Sequence, residues 1–246
     1  WHKLILAERN CTSKRKKGKE EEQQMPWPSE LVLVRHAESE GNILSVNERA
    51  SFNLATHAYP LTEKGRRQAI ITGQFIFDTY GDFDIYYVSY YRRSMETMEL
   101  MFPYAKLYED PRLAEAQRGI WHAMTKEEIK RYYPGEIIRK EREGLYHYRP
   151  FGGENWPDVE LRIHSFLGTL NRDYGKRKVI IVVHGHWLIL FQRLIHHFPI
   201  DEALKKYREA VSANASVTVY RSFENDGWSR LHLTEMNNFI PWQGKI

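Results

Sequence analysis

The chain has 246 residues, 42% hydrophobic, 28% charged and 13% aromatic, with a formal net charge of +4, the composition of a globular protein. No apolar run reaches the roughly 18 residues that a membrane-spanning helix needs, and the single cysteine, Cys11, excludes an intrachain disulfide and a cysteine-rich zinc site. Residues 1–25 hold seven lysines and arginines against four acids, which leaves 29 against 28 in the remainder, a balance without the basic footprint of a nucleic-acid-binding domain.

Residues 1–25 are expected to be a disordered basic extension, with Lys14–Lys19 a solvated charge run, and residues 26–246 a single domain. Leu31–Val34 is a short apolar run that reads as a buried strand. Leu61–Tyr80 reads as a helix capped by Thr62, with Ile70, Phe75 and Phe77 on its apolar face. Asp84–Val88 reads as a second strand, 92–102 as a helix, and Lys106–Tyr108 as a short third strand after Pro103. Thr125–Tyr133 is a helix that Pro134-Gly135 stops, and residues 140–157, with Pro150, Gly152, Gly153 and Pro157, read as irregular. Asp158–Tyr174 is helical, with Leu161, Phe166, Leu167 and Leu170 on its buried side. Lys178–Val183 has the strongest strand pattern, rich in β-branched residues. Trp187–His197 is a helix ending before Pro199, and Ser216–Tyr220 and Arg230–Leu233 are late strands joined around Asn225-Asp226-Gly227. Strands alternating with helices predict an α/β fold, a three-layer α/β/α sandwich on a mostly parallel central sheet.

Two of these strands run into histidine. Arg35-His36 follows Leu31–Val34, and His184-Gly185 follows Lys178–Val183. Ligands of open α/β sheets bind at the carboxyl ends of the strands, so both imidazoles are placed to face one pocket. Ser89 ends the Asp84–Val88 strand and Arg93 follows four residues later, which brings a second arginine to the same edge. Two guanidiniums bind a phosphate through paired, charge-assisted hydrogen bonds and stabilise a transferring phosphoryl group. A neutral imidazole is a competent nucleophile, and the departing oxygen then needs a proton from a nearby acid. The same groups also suit a noncatalytic phosphate-binding pocket. No metal is expected: the 11 histidines form no His-Glu-x-x-His pattern, and the arginines repel a cation.

The ten residues Leu33 to Asn42, LVRHAESEGN, resemble the histidine phosphatase superfamily, the fold of cofactor-dependent phosphoglycerate mutases and acid phosphatases. Further blocks extend the resemblance over about residues 31–235. They are Leu61 to Ala69, Val88 to Thr97, Leu113-Ala114-Glu115 with Gly119, Gly152-Gly153-Glu154 with Asp158 and Arg162, and His184-Gly185. The resemblance implies a phosphohistidine mechanism that needs no metal or other cofactor. His36 is then the nucleophile and Glu115 the acid. Arg35, Arg93, His184 and Asn42 hold phosphoryl oxygens, and the backbone N–H of His186 donates to phosphate. Spacing from Ser89 and to Thr97 selects Arg93 over Arg92. Two departures stand out: Ala37 replaces the usual glycine, and Glu115 lacks the usual neighbours, which leaves Glu109 and Glu154 as rival acids.

Glu115 and His184 are only 69 positions apart, without the longer insertion of the mutases, and the pattern resembles the broad-range acid phosphatase branch. The expected activity is hydrolysis of a small phosphorylated metabolite in the cytoplasm, with mutase chemistry and an inactive phosphate-binding protein as the alternatives. His57, Tyr59, Tyr146, His147, Tyr148 and Arg149 are candidates for the pocket mouth, and His147 and Arg149 for recognition of a second negative charge. The sequence leaves the oligomeric state open.

Overall fold

The computed structural model describes residues 27–51, 54–209, 212–225 and 228–246; the extension expected at 1–25, and Asp226 and Gly227 of the expected late-strand connection, lie outside the described residues. Six strands form one sheet: β1 (Glu30–Arg35), β2 (Ile85–Val88), β3 (Leu107–Glu109), β4 (Lys178–Val183), β5 (Val217–Asn225) and β6 (Trp228–Leu233). The sheet order is β3-β2-β4-β1-β5-β6. The first four of these are mutually parallel, and β5 runs antiparallel to its neighbours β1 and β6, which gives the expected mostly parallel sheet. Alternate residues of the central strands serve two cores. Leu31, Leu33, Val179 and Ile181 pack into one cluster, and Val32, Val34, Ile180 and Val182 into the other. Helices cover both faces, which is why β1 and β4 are apolar at nearly every position.

The helices are α1 (Glu40–Ile43), α2 (Val46–Ser51), α3 (Glu63–Tyr80), α4 (Arg92–Met101), α5 (Ile120–Ala123), α6 (Lys126–Tyr132), α7 (Pro134–His147), α8 (Trp156–Asp173), α9 (Gly185–His196) and α10 (Ile200–Glu209). Sequence patterning misses α1, α2, α5 and α10. It also misjudges Pro134: the proline ends α6 but occupies the first turn of α7, where its missing N–H costs nothing. Residues 140–147, expected to be irregular, continue that helix with a kink at Gly144, where φ is 72°. Pro157 likewise sits in the first turn of α8, behind the Asn155 cap that accepts from Asp158 N at 2.9 Å.

Two apolar faces also differ from expectation. Leu161 is 71% exposed, and Ile70 and Phe77 of α3 are about half exposed. The buried side of α3 is instead Gly65, Gln68, Ala69, Thr72, Gly73 and Ile76, a stripe of mostly small residues at helical spacing. The N-terminus of α3 has a structural duty that explains it. Thr62 caps the helix by accepting from Gly65 N at 3.0 Å and holds Glu38 through its own N–H, while Gln68 accepts from Glu38 N at 2.9 Å. A Cβ on Gly65 would lie 1.9 Å from the Glu38 carbonyl oxygen, so α3 reaches the loop after β1 only with glycine there. Gly65→Ala is expected to cost about 3 kcal/mol or more, in the range of a steric clash inside a packed core, seen as a midpoint several degrees lower in thermal unfolding; an unchanged midpoint contradicts this packing.

Candidate active site

Register brings the chemistry together. β1 pairs with β4 so that Arg35 lies beside Val183, and β2 pairs with β4 so that Val88 lies beside Val182. The residues that follow, His36, His184 and Ser89, therefore emerge from three adjacent parallel strands at one edge. His36 N donates to Val183 O at 2.8 Å and Ser89 N to Val182 O at 3.3 Å. Both imidazoles are buried, with ring centroids 5.1 Å apart.

Arg93 joins them. Its Nε–H donates to His36 Nε2 at 3.1 Å, its Nη2 contacts His184 Nδ1 at 3.2 Å, and its Nη1 donates to Thr56 O at 2.9 Å. The guanidinium lies over the Tyr91 ring, 4.4 Å from its centroid. Neighbouring Arg92 turns outward and pairs with Glu96 at 2.7 Å, so Arg93 is the arginine of the pocket. Burial, first, and then the Glu115 charge acting against it leave the Arg93 pKa lowered to about 10, still protonated at neutral pH.

The hydrogen bonds fix both tautomers. His36 Nδ1 lies 2.7 Å from Ala37 O, and a carbonyl oxygen only accepts, so Nδ1 carries the proton and Nε2 the lone pair. His184 accepts from Arg93 at Nδ1 and donates from Nε2 to Ser89 Oγ at 2.9 Å, with Ser94 Oγ at 3.4 Å. Burial, then Arg93, holds both pKa values well below the ordinary imidazole value, so both rings are neutral at physiological pH. Ala37, the departure from the glycine of the motif, is fully buried in the apolar cluster under α3 and α4, and its N–H donates to Thr97 Oγ1 at 3.0 Å.

Arg35 donates from Nη1 to Ser212 O, while its buried Nε has no partner among the described residues. Asn42 accepts at Oδ1 from Ser39 N and Ser39 Oγ, at 2.9 and 3.0 Å, and from Asn214 Nδ2 at 3.3 Å. These contacts fix the side chain where it lines the pocket.

Glu115 follows a 3-10 turn (Pro111–Leu113) and accepts from Ala116 N at 3.0 Å and from His186 N at 3.4 Å. The His186 N–H, expected on phosphate, thus faces the acid instead. Burial pushes the Glu115 carboxyl up, but the charges of His186, Arg93 and Arg118 and the Ala116 N–H pull it below the ordinary value. His186 is itself pushed down to about 4, chiefly by burial, so at neutral pH the two arginines and the N–H keep Glu115 ionised. The rival acids are elsewhere. Glu109 is exposed on β3, and Glu154 pairs with Arg162 at 2.9 Å while accepting from Gln117 N at 3.0 Å. Glu154 holds the loop that carries Glu115. Gly119 completes that contact at a φ of 51°, where a Cβ would lie 2.1 Å from Phe151 O, so the glycine blocks around 119 and 152–154 meet in space.

All seven expected site residues converge, apart from the changed partner of the His186 N–H. Arg35, His36, Asn42, Arg93, Glu115 and His186 line a cavity of about 370 Å3, and His184 lies behind it against Arg93 and His36. The wall also contains Arg49, Arg118, His122 and Tyr207, none of which sequence reasoning singled out, because each comes from an element without motif spacing. Ser89 and Thr97 entered that reasoning only as spacing marks, yet they hold His184 and Ala37. Among the mouth candidates, Tyr59 lines this cavity and Tyr148 an adjoining one. Tyr146 is buried with its hydroxyl on Glu160 at 2.7 Å. The expectation that His147 and Arg149 read a second charge is not met: Arg149 pairs with Asp158, and His147 packs edge-on against Tyr146.

Three neutral buried imidazoles link the site to stability. His36, His184 and His186 have folded values below the ~6.5 of an unfolded histidine, so between pH ~6.5 and ~4 the unfolded chain binds more protons than the folded one. Their stabilising contribution is complete above ~6.5 and is lost as pH falls, and the lowered Glu115 adds a loss of the same sign at lower pH. The thermal midpoint is expected to drop by several degrees between pH 7.5 and pH 5, with a shallower drop in His186→Phe, which keeps a ring between Trp156 and Tyr207. A midpoint that holds or rises over that interval contradicts the neutral imidazoles.

Comparison with known proteins agrees with this geometry. The Histidine phosphatase superfamily (branch 1) profile matches residues 31–235. Fructose-2,6-bisphosphatase of Saccharomyces cerevisiae is 29% identical over 179 residues, 72% of this chain, and the match spans only 36% of that relative. The 2,3-bisphosphoglycerate-dependent phosphoglycerate mutase 2 of Gloeobacter violaceus is 33% identical over 183 residues, 71% of this chain and 79% of that protein. The crystal structure of the alpha-ribazole phosphatase from Shigella flexneri superposes with a TM-score of 0.66 at 20% identity, covering 86% of this chain and 98% of the other, a likeness of fold. A sheet whose three parallel strands deliver two histidines and a serine to one edge, and a sequence match over most of its length, establish that the chain belongs to the histidine phosphatase superfamily.

Proposed function

We propose that the protein is a metal-independent phosphomonoester hydrolase that works through a phosphohistidine on His36, with a small phosphorylated metabolite as substrate. The observation that carries this reading is the locked tautomer of His36, whose Nε2 lone pair is turned toward Arg93 and the cavity. The ester phosphate displaces the Arg93 Nε–H from His36 and takes the charged donors of Arg35 and Arg93 itself, including the partnerless Arg35 Nε. The amide of Asn42 adds a neutral donor. Ser89 and Ser94 can each donate or accept, so the His184 proton can move from Nε2 to Nδ1 with the serine contact kept, once the Arg93 donor has turned from Nδ1 to the phosphate. His184 Nδ1–H then donates to a phosphoryl oxygen.

Glu115 is ionised in the chain alone, and a general acid has to be protonated. A phosphate dianion set against Arg35 and Arg93 cancels the pull of those guanidiniums and adds its own repulsion, which raises the carboxyl pKa. Substrate binding therefore lets Glu115 take up a proton from solvent. His36 Nε2 attacks phosphorus, the ester P–O bond breaks, and the leaving oxygen takes the Glu115 proton. The Nδ1–H bond to Ala37 O steadies the positive charge that the phosphorylated ring acquires. In the second half, Glu115 accepts a proton from water, the water oxygen attacks phosphorus, and the P–N bond breaks to release phosphate and free His36.

The mutase relative makes return of the phosphoryl group to an acceptor alcohol the second reading. The first test is phosphate release from an aryl phosphate in EDTA. Wild type is expected to turn over, and His36→Ala to lose activity by ~10⁴-fold or more, on the scale of nucleophile removal in other covalent enzymes. Release by both proteins alike removes His36 from the role, and release by neither, with interconversion of phosphoglycerates, shifts the assignment to a mutase. Glu115→Gln is expected to slow turnover by ~10²–10⁴-fold for alkyl esters and far less for aryl esters with good leaving groups. A loss independent of leaving-group pKa points to another acid.

A further inference from the structure

The phosphoryl pocket opens into a second chamber. It has a volume of about 310 Å3 and shares Arg49, Ala116, Arg118, His122, His186 and Tyr207 with the first. Its wall is unusual in charge. Arg118, Lys126 and Lys140 line it, and none of them makes an ion pair with a carboxylate among the described residues. The nearby acid, Glu154, is already committed to Arg162. Lys140 Nζ lies over the Trp121 ring, 4.1 Å from its centroid. Trp121 is fixed by its Nε1–H on Tyr148 Oη at 2.9 Å, and Tyr148 by its own hydroxyl on Glu136 at 2.8 Å. Burial, then Arg118 and Lys126, lowers the Lys140 pKa, as expected of an ammonium crowded by two other cations. His186 Nε2 is buried without a partner, its ring set between Trp156 and Tyr207 at 4.4 and 5.0 Å.

Like charges held together beside a rigid aromatic wall are a destabilising arrangement unless an anion joins them. We propose that this chamber receives the alcohol half of the ester, and that the preferred substrates carry a second anionic group, a carboxylate or a phosphate, which binds Arg118 and Lys140 against Trp121. The inference rests on the hydrolase reading, because that reading places the phosphoryl group next door. A hydroxyl or amide on the same half meets His186 Nε2.

Unhydrolysable phosphonates test the chamber without turnover. Calorimetric titration of the wild-type protein would compare benzylphosphonate, 4-(phosphonomethyl)benzoate, its uncharged benzamide, and the 1,4-bis(phosphonomethyl) compound. The benzoate or the bisphosphonate is expected to bind at least tenfold more tightly than the benzamide, and which of the two gains more identifies the second group. The gain is expected to shrink below twofold in Arg118→Gln/Lys140→Met and to weaken with added salt. Equal affinity for all four phosphonates, or a gain that survives in the double variant, overturns the second-anion site and leaves the hydrolase reading standing. Failure of every phosphonate to bind overturns both.

Discussion

The site depends on one buried cation. Arg93 is buried between two imidazoles that accept its hydrogen bonds, and its charge is one reason they stay neutral. A buried guanidinium without a counter-ion is costly unless its donors are satisfied. Here the two rings, the Thr56 carbonyl and the Tyr91 face satisfy it. The same contacts set the chemistry of the partners: an imidazole that accepts from an arginine cannot also be protonated there. Under the proposed mechanism, the neutral nucleophile follows from the way the cation is housed, with no separate base to activate it.

Keeping that cluster in place takes most of the motif residues that touch no substrate. Thr62 and Gln68 grip the Glu38 backbone, Thr97 grips Ala37, and Asn214 reaches back across the chain to the His36 carbonyl at 3.1 Å. Trp187 and Arg162 both donate to Arg112 O, at 3.0 and 2.8 Å, which ties the turn before Glu115 to α8 and α9. Each is a hydrogen bond from a packed element to the backbone of a loop. Loops positioned this way keep reacting groups within the small errors that phosphoryl transfer tolerates.

This division explains what could be read from the sequence. Strands β1 and β4 and the histidines that follow them were legible because a strand buried on both faces is a continuous apolar run, and its end is visible where the run stops. Arg93 is distinguishable from Arg92 by its spacing from Ser89 and to Thr97 within the block that resembles the family's. The proline at 134 was misread because the same ring that stops one helix suits the first turn of the next, and only tertiary packing decides. Arg118, His122 and Tyr207 were invisible for a different reason: they come from short helices and a loop, and nothing local marks a side chain as facing a cavity built by distant segments. Ser212 and Asn214, some 177 positions from their partners at Arg35 and His36, show the same limit.

The electrostatics of the two chambers form one argument. Arg35, Arg93, Arg118, Lys126 and Lys140 surround connected space in which Glu115 is the carboxylate not already paired with arginine. Such a wall repels itself, and stability alone would favour its neutralisation by another acid. An added acid would also abolish the differential on which the proposed chemistry runs. Under the proposed mechanism, Glu115 shifts from ionised to protonated because a bound dianion cancels the cations that hold its proton off. A permanent counter-charge would fix its state in advance, and the acid would be either always spent or always unavailable for the second, base step. In the proposed cycle, the excess of positive charge is the condition under which one carboxyl group can serve both half-reactions, with the substrate as the switch between them.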